Sequence, residues 1–268
     1  MNDTNFKEYL DFAKDMAYEA GKIMKKYFHE DNGSSYKYDQ TIVTKADTEI
    51  NSLLIARVKE NFPTHSVDGE EERFGNSEYV WVCDPVDGTA MYARHIPIAV
   101  FSLALVIDGV PMVGVIYDVF MDNLFSAIKG QGAYRNNTQI FVNDIKLGDR
   151  RSVANMDMWP AAGYDIYDII KELSKDTYFI SMGSVAHACT CVANGDFNLV
   201  LFPGTEHKNC DVAAAKVIVE EAGGKVTDFF GNEQRYDQDI NGAIVSNAVE
   251  HDKIVNIMKS NLENLRKD

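Results

Sequence analysis

The stretch that organises this chain is "VWVCDPVDGTAMY", residues Val80 to Tyr92. An apolar run ends there at Cys83, and two aspartates, a proline, a glycine and a threonine fall within the next six residues. The apolar part predicts a buried strand, and the acidic part, taken alone, is typical of a turn, which needs one Asp or Asn and a Gly. Two carboxylates on such a turn repel each other unless a cation lies between them, and hard oxygen ligands suit Mg²⁺, Mn²⁺ or Ca²⁺.

Composition restricts the possible classes of protein. The chain has 268 residues, of which 46% are hydrophobic and 25% charged, as in ordinary globular proteins. Its formal net charge of −15 argues against nucleic acid or an anionic membrane surface as partners. The N-terminal segment is acidic and has no long apolar run, so we expect no signal peptide, no membrane anchor and a cytoplasmic location. The cysteines form no CxxC pair, which favours buried, reduced thiols.

The first half of the chain predicts helices followed by a sheet. Apolar residues recur at steps of three or four from Thr4 to His29, and "TKADTEINSLLIARVKENF" repeats that pattern until Pro63, so both segments indicate amphipathic helices. The runs that follow are rich in β-branched and aromatic residues, and Asp108-Gly109 between two of them predicts a hairpin. We therefore expect an α+β domain over residues 1–142, with two helices on a large antiparallel sheet.

The second half predicts an α/β layer, because helix and strand patterns alternate after Val142. The segments "VAHACTCVANG" and "DVAAAKVIVEEAGG" end in glycine, as helices often do, while "FNLVLF", "KVTDF" and "GAIVSN" have the composition of strands. No repeat or low-complexity linker separates the two halves. The second domain is predicted over residues 143–268, and the fold class of the whole chain is α/β.

Three further acidic features accompany the first. Glu70 begins "EEERFG" after the strand-like "HSVDG", Asp211 begins "DVAAAKVIVEEAGG", and Asp47 ends "VTKAD". Each has an ordinary explanation when taken singly, as a solvated loop, a helix cap or a surface residue. The order "GEE", then "DPxDGT", then the helix ending in "AGG" is much more specific than any one of them.

This ordered set resembles the inositol monophosphatase family over nearly the whole chain, together with "KGQGAYRNN" at Lys129 to Asn137 and "GSVAHACTCVANGDF" at Gly183 to Phe197. The resemblance implies a layered αβαβα sandwich of the sugar phosphatase type, a homodimer and hydrolysis of a small phosphorylated substrate. It also implies that two to three Mg²⁺ ions bind where the two domains meet. Their expected ligands are Glu70, Asp84, the carbonyl of Val86, Asp87 and Asp211.

The resemblance also implies roles for other residues. Asp47 and Thr89, with Glu70, are expected to position and activate the attacking water. Gly88 permits close backbone approach, and the N–H groups of Gly88 and Thr89 are expected to face the phosphate at the start of a short helix. The alcohol side of the substrate is expected to be lined by Gly183, Ser184 and Val185.

The substrate stays open, because family members share the metal cluster. Inositol 1-phosphate is the leading substrate, with fructose 1,6-bisphosphate, histidinol phosphate and nucleotides bearing a 3′-phosphate as alternatives. The chain departs from the family pattern where specificity is expected: Met91 replaces an asparagine, Cys210 a tryptophan, and Gly204 an acidic residue that often contacts substrate hydroxyls. We hypothesise that His207 and Lys208 meet a second anionic group.

Two interpretations of other classes compete with this one. A haloacid-dehalogenase phosphatase needs aspartates two residues apart, whereas Asp84 and Asp87 are three apart, so a covalent aspartyl-phosphate is not expected. A regulatory interaction protein that merely retained the fold is the other alternative. The presence of Glu70, Thr89 and Asp211 beside the two aspartates speaks against lost catalysis.

Overall fold

The computed structural model describes residues 3–30, 32–38, 41–158, 162–175, 177–204, 208–240 and 242–265. The helices within these ranges are α1 (Asp3–Phe28), α2 (Lys45–Asn61), α3 (Thr89–Tyr92), α4 (Tyr167–Leu173), α5 (Val185–Ala193), α6 (Cys210–Glu221) and α7 (His251–Leu265). The strands are β1 (Ser35–Tyr36), β2 (Ile42–Val43), β3 (Ser66–Gly69), β4 (Arg73–Phe74), β5 (Tyr79–Asp87), β6 (Val100–Ile107), β7 (Val110–Asp118), β8 (Asn123–Ile128), β9 (Ala133–Arg135), β10 (Thr138–Gln139), β11 (Val153–Met156), β12 (Tyr178–Ile180), β13 (Leu199–Phe202), β14 (Lys225–Thr227) and β15 (Ala243–Ser246). None of these helices has the length and hydrophobicity that crossing a membrane would require.

The larger sheet has eight strands in the order β10-β9-β8-β7-β6-β5-β3-β4. Its hairpin between β6 and β7 turns at Asp108-Gly109 as predicted, and both residues have positive φ, as the tight hairpin turn requires. The prediction of a wholly antiparallel sheet was wrong at one place, because β3 and β5 are parallel. The short strand β4 pairs antiparallel with the outer edge of β3, so the chain reverses there and enters β5 in the direction of β3.

The two faces of this sheet bury different sets of helices. Alternate residues of a strand point to opposite faces. Trp81 and Leu103 therefore pack toward α1 and α2, whose buried residues belong to the same apolar cluster. Val82 and Ala104 point the other way, into a cluster with the buried residues of α5 and α6. The apolar alternation in β5 and β6 thus holds the sheet between two helical layers.

The smaller sheet has five strands in the order β12-β11-β13-β15-β14, of which β12, β11 and β13 are parallel. Val200 and Val245 on one face of this sheet join the cluster of α5 and α6. Leu201 and Ile244 on the other face pack with the buried residues of α4 and α7. The layers therefore follow the order helix, sheet, helix, sheet, helix, which confirms the predicted α/β sandwich.

The two sheets are formed by different parts of the chain. All strands of the larger sheet lie before residue 142, and all strands of the smaller one lie after it. The helices α5 and α6 pack against both sheets, and the boundary at that residue stays a prediction. The first turn of α6 lies beside β5 and β6, where the two halves of the chain meet.

One local prediction needs correction. The sequence predicted that the strand ends near Cys83 and that Asp84 and Asp87 lie on a turn. Instead β5 continues to Asp87, paired with β6, and its register shifts between the two aspartates. Such a shift is a β-bulge, in which an extra residue is accommodated without ending the strand.

Candidate active site

Three aspartates meet where β5 passes the start of α6. Asp84 and Asp87 belong to the strand, and Asp211 lies in the first turn of the helix. One carboxylate oxygen from each lies within 4.8 Å of the other two, and all three side chains are buried. Residues three apart on a regular strand point to opposite faces. The bulge in β5 therefore allows both of its aspartates to face Asp211.

Burial and mutual repulsion make this cluster costly to ionise. Burial raises the pKa of Asp87 to about 7, and the charge of Asp211 adds to the rise. Burial together with neighbouring carboxylates also raises the pKa of Asp84 well above its usual range and raises the pKa of Asp211. A cation between the three would reverse this, because opposite charge favours the ionised form.

Glu70 extends the cluster from the loop after β3. Its N–H donates to the carbonyl of Cys83 at 3.0 Å, so its backbone is fixed to β5. Its Oε1 accepts from the ammonium of Lys208 at 3.1 Å and from that of Lys37 at 3.3 Å. Burial opposes ionisation of Glu70, but the two ammonium groups outweigh it and lower its pKa to about 2. Glu70 is therefore held as a carboxylate.

The residues present fit a hard divalent cation. Four carboxylates are available with the carbonyl of Val86, which accepts from the Thr89 hydroxyl at 2.8 Å and keeps a second acceptor position. The thiol of Cys210 also lies within 4.8 Å of oxygens of Glu70 and Asp84. Burial raises the pKa of this thiol well above its usual range, which keeps it protonated. The ligand set is thus oxygen, as Mg²⁺ prefers.

Asp87 also accepts hydrogen bonds from the start of α5. The Ala186 N–H donates to Oδ2 at 2.8 Å and the Val185 N–H to Oδ1 at 3.3 Å. The Ser184 hydroxyl donates to the same carboxylate. A negative charge is favourable at a helix N-terminus, where N–H groups lack partners within the helix. The Asp87 carboxylate on β5 is thus oriented by a helix that follows almost a hundred residues later.

Asp47 is held beside the cluster at the start of α2. Its Oδ2 accepts from the Thr44 N–H at 2.8 Å, and its Oδ1 accepts from the Thr89 hydroxyl at 3.3 Å. The side chain is fully buried, and burial raises its pKa to about 7, with hydrogen bonds from Thr44 opposing the rise. The structure therefore brings together Asp47, Thr89 and Glu70, which the sequence predicted to act on water.

A family model described as the inositol monophosphatase family matches residues 5–263. The chain belongs to the inositol monophosphatase family. Inositol monophosphatase 1 of Solanum lycopersicum is 31% identical over 245 residues, covering 85% of this chain and 87% of that protein. The fructose-1,6-bisphosphatase/inositol-1-monophosphatase of Aquifex aeolicus is 31% identical over 271 residues, covering 97% and 98% of the two chains. The solved structure of the Thermotoga maritima IMPase superposes with a TM-score of 0.83 at 26% identity, covering 96% of this chain and 99% of that chain.

The chain is thus a phosphoric monoester hydrolase of a metal-dependent family. The carboxylate cluster of this phosphatase opens into a cavity of about 480 Å³. Gly88 and Thr89 line the cavity at the start of α3, and Gly183 and Val185 line it at the start of α5. Ser184 is 1% exposed and bonded to Asp87 instead. Its expected contact with the substrate alcohol stays a prediction.

Some residues of the site and of its cavity were missed by the sequence interpretation, and others are placed differently from its expectations. Lys37 lies in a polar loop with no motif, yet its ammonium bonds Glu70, and Asp157 lines the cavity although it lies outside every motif that indicated the family. Lys208 was hypothesised to meet a second anionic group of the substrate. In the structure its ammonium donates to Glu70 and lies 3.8 Å from Asp211. His207 lies outside the described residues.

Proposed function

We propose that this chain is a Mg²⁺-dependent phosphomonoesterase of small phosphorylated polyols, with inositol 1-phosphate as its leading substrate. One observation carries the proposal: oxygens of Asp84, Asp87 and Asp211 converge within 4.8 Å at the wall of the cavity. Glu70, the Val86 carbonyl and these three aspartates would hold the ions. Bound Mg²⁺ supplies Lewis-acid polarisation of the phosphoryl oxygens and partial neutralisation of their charge.

Thr89 and Asp47 are expected to remove the proton of the attacking water. The Thr89 hydroxyl has one hydrogen, so it donates either to the Val86 carbonyl or to Asp47. When it donates to Asp47, its oxygen can accept a hydrogen bond from water in the cavity. A base with a pKa of about 7 is well matched to proton transfer near neutral pH. Asp47 is therefore the expected final acceptor of the proton.

The phosphate and the alcohol are expected to bind at two neighbouring backbone segments beside the carboxylate cluster. Gly88 has φ of 90°, a left-handed conformation that favours glycine, and a Cβ there would lie 3.0 Å from the carbonyl oxygen of Gly183. The chain therefore approaches itself closely beside the cluster, and the N–H groups of α3 are expected to face the phosphate. Gly183 and Val185 are expected to face the alcohol.

A bisphosphate substrate is the second candidate. The exposed side chain of Arg94 lines the cavity, where its guanidinium could meet a second phosphate. The name of the Aquifex aeolicus relative includes both fructose-1,6-bisphosphatase and inositol-1-monophosphatase. Replacing Arg94 with alanine should then lower kcat/KM for fructose 1,6-bisphosphate more than for inositol 1-phosphate. Equal losses for the two substrates would remove this candidate.

The test of the proposed function is Mg²⁺-dependent release of inorganic phosphate by the purified protein. The substrates are inositol 1-phosphate, fructose 1,6-bisphosphate, histidinol phosphate and 3′-phosphoadenosine phosphate. Asp87→Asn should abolish release from all of them, whereas Asp252→Asn, the same chemical change at a side chain 88% exposed on α7, should have no effect. Undiminished activity of Asp87→Asn would overturn the assigned site.

The assembly and location expected of the protein belong to the same proposal. We infer a homodimer in the cytoplasm, with no nucleic acid or membrane as partner. Light scattering after size-exclusion chromatography should give twice the chain mass of 30.0 kDa. Retained catalysis in the activity assay would also speak against a purely regulatory protein that kept only the fold.

A further inference from the structure

Asp157 is an acidic residue of the cavity that the metal cluster does not use. It follows the last residue of β11, while Ser181 follows β12 and Phe202 ends β13. These three strands are parallel neighbours, and all three of these residues line the cavity. The crevice at the carboxyl ends of parallel strands is where α/β sheets commonly bind ligands. Asp157 therefore stands at a position suited to contact with a substrate.

The hydrogen bonds of Asp157 leave one acceptor position open. Its Oδ1 accepts from the Ser181 hydroxyl at 2.5 Å and from the Gly183 N–H at 2.8 Å. Its Oδ2 accepts from the Asn155 amide at 3.0 Å. A carboxylate oxygen can accept two hydrogen bonds, so Oδ2 has capacity for one more. All three donors are neutral, so among the described residues these bonds leave the charge of Asp157 without a cation.

A single dipeptide connects Asp157 to the carboxylate cluster by hydrogen bonds. The Gly183 N–H donates to Asp157, and the next residue, Ser184, donates its hydroxyl to Asp87. The two carboxylates thus lie on either side of Gly183-Ser184. A phosphate bound at the cluster would place the attached alcohol toward Asp157, whose neighbours in the cavity wall include the apolar Met158.

We propose that Asp157 is a specificity-determining residue that accepts a hydrogen bond from the alcohol part of the phosphomonoester. The proposal rests on the proposed function and names its substrate class more closely: alcohols that carry a hydroxyl or an ammonium group near the ester. A site built to accept such a bond rejects an analogue that lacks the donor, because the acceptor then loses water without gaining a partner.

The first experiment uses the unaltered protein with Mg²⁺ and three phosphates on the same six-membered ring. Inositol 1-phosphate offers hydroxyl donors, 2-aminocyclohexyl phosphate offers an ammonium group, and cyclohexyl phosphate offers neither. We expect kcat/KM for one or both donor-bearing substrates to exceed that for cyclohexyl phosphate by roughly 10- to 100-fold, as for a hydrogen bond to a charged group. The better of the two identifies the donor that Asp157 selects.

The second experiment assigns that preference to Asp157. Asp157→Asn should reduce the ratio of kcat/KM between donor-bearing and donor-free rings by roughly tenfold or more. Ser181→Ala is the matched control, because it removes a hydrogen bond to Asp157 but keeps the carboxylate. This control should change kcat/KM for all three substrates by the same factor and leave the ratio between them unchanged. Asp157→Glu should retain part of the preference if the carboxylate is what selects.

The outcomes separate this inference from the proposed function. If none of the three rings is hydrolysed, the proposed function fails and the inference fails with it. If cyclohexyl phosphate is hydrolysed as efficiently as the other two, the phosphatase stands and the inference is overturned. Equal losses of kcat/KM for all three rings in Asp157→Asn would also overturn it, because a purely structural role of Asp157 would give that result.

Discussion

Without divalent metal the stability of this protein should fall as pH rises from about 4 toward about 7, bound metal should remove that fall, and Asp87 is the residue that makes the effect measurable. Its pKa is about 7 in the folded chain, against an ordinary value of 3.8. Between these two values the folded protein without metal keeps a proton that the unfolded chain has released. The stabilising contribution of Asp87 is therefore full below about pH 4, and it is lost as pH rises toward about 7.

The size of the effect follows from the difference between the two pKa values. The shift from 3.8 to about 7 corresponds to about 4 kcal/mol at 1.36 kcal/mol per pKa unit, of which roughly 2 to 3 kcal/mol is lost between pH 5 and pH 7.5. Asp47 acts in the same direction, because its pKa is also about 7. Glu70 acts oppositely, but its pKa of about 2 confines its effect to lower pH.

The assay is thermal unfolding followed by circular dichroism in EDTA and in excess MgCl₂, at pH 5.0 and pH 7.5. In EDTA, the share of the fall in Tm due to Asp87 is about 5 to 10 °C, since 1 kcal/mol corresponds to about 2 to 4 °C for a chain of this size. Mg²⁺ should remove that share, because a bound cation favours the carboxylate of Asp87. Asp87→Asn should show a smaller fall than the unaltered protein in EDTA, while Asp252→Asn should match it.

Two results would refute this reasoning. The first is a Tm in EDTA that is equal or higher at pH 7.5 than at pH 5.0, because the raised pKa values would then be absent. The second is an equally steep fall in Asp87→Asn, which would place the titrating group elsewhere.

Three further predictions concern single residues of the site. Thr89→Val should lower kcat by roughly 10²- to 10⁴-fold while Mg²⁺ binding measured by calorimetry is unchanged, because it removes the proton relay and Thr89 is not among the expected metal ligands. Lys208→Met should tighten Mg²⁺ binding by at least roughly tenfold, because the ammonium on Glu70 repels the cation; unchanged affinity would show that Lys208 swings away. Gly88→Ala should lower the free energy of unfolding by about 1 to 3 kcal/mol, measured by urea titration, because alanine is strained at positive φ. Wild-type stability of that variant would contradict the close approach to Gly183.

The layered fold was predictable because apolar residues recur along its helices and strands with clear periods. Trp81 and Val82 point to opposite faces of one strand, and each has a helical layer to meet it. The strand β11 was not predicted, because Asn155 interrupts its apolar pattern and Asp157 follows it at once. Asn155 donates to Asp157 and accepts from the Met182 N–H, and Asp157 also accepts from Ser181 and Gly183, which are residues that follow much later in the sequence. Long-range hydrogen bonding thus overrides local composition there.

The carboxylates of the site were predictable as residues, but their arrangement was not. The motif order identifies Asp84, Asp87 and Asp211, because chance rarely gives that set in sequence. The bulge that turns both strand aspartates to one side depends on pairing with β6. The partner of Glu70 was hidden as well, since Lys37 lies in a polar loop whose composition indicates only exposure to solvent. Sequence patterns therefore named the candidate ligands, and tertiary contacts determine their geometry.

The contact between Asp87 and the start of α5 has a consequence for the newly synthesised chain. On the ribosome, β5 is complete long before Ser184 and Ala186 exist, and Asp211 follows later still. Until those residues dock, the buried aspartates lack both the donors that orient them and their third member. A nascent chain, or one truncated before Asp211, is therefore expected to lack the proposed centre and to hydrolyse no phosphate esters until folding is complete.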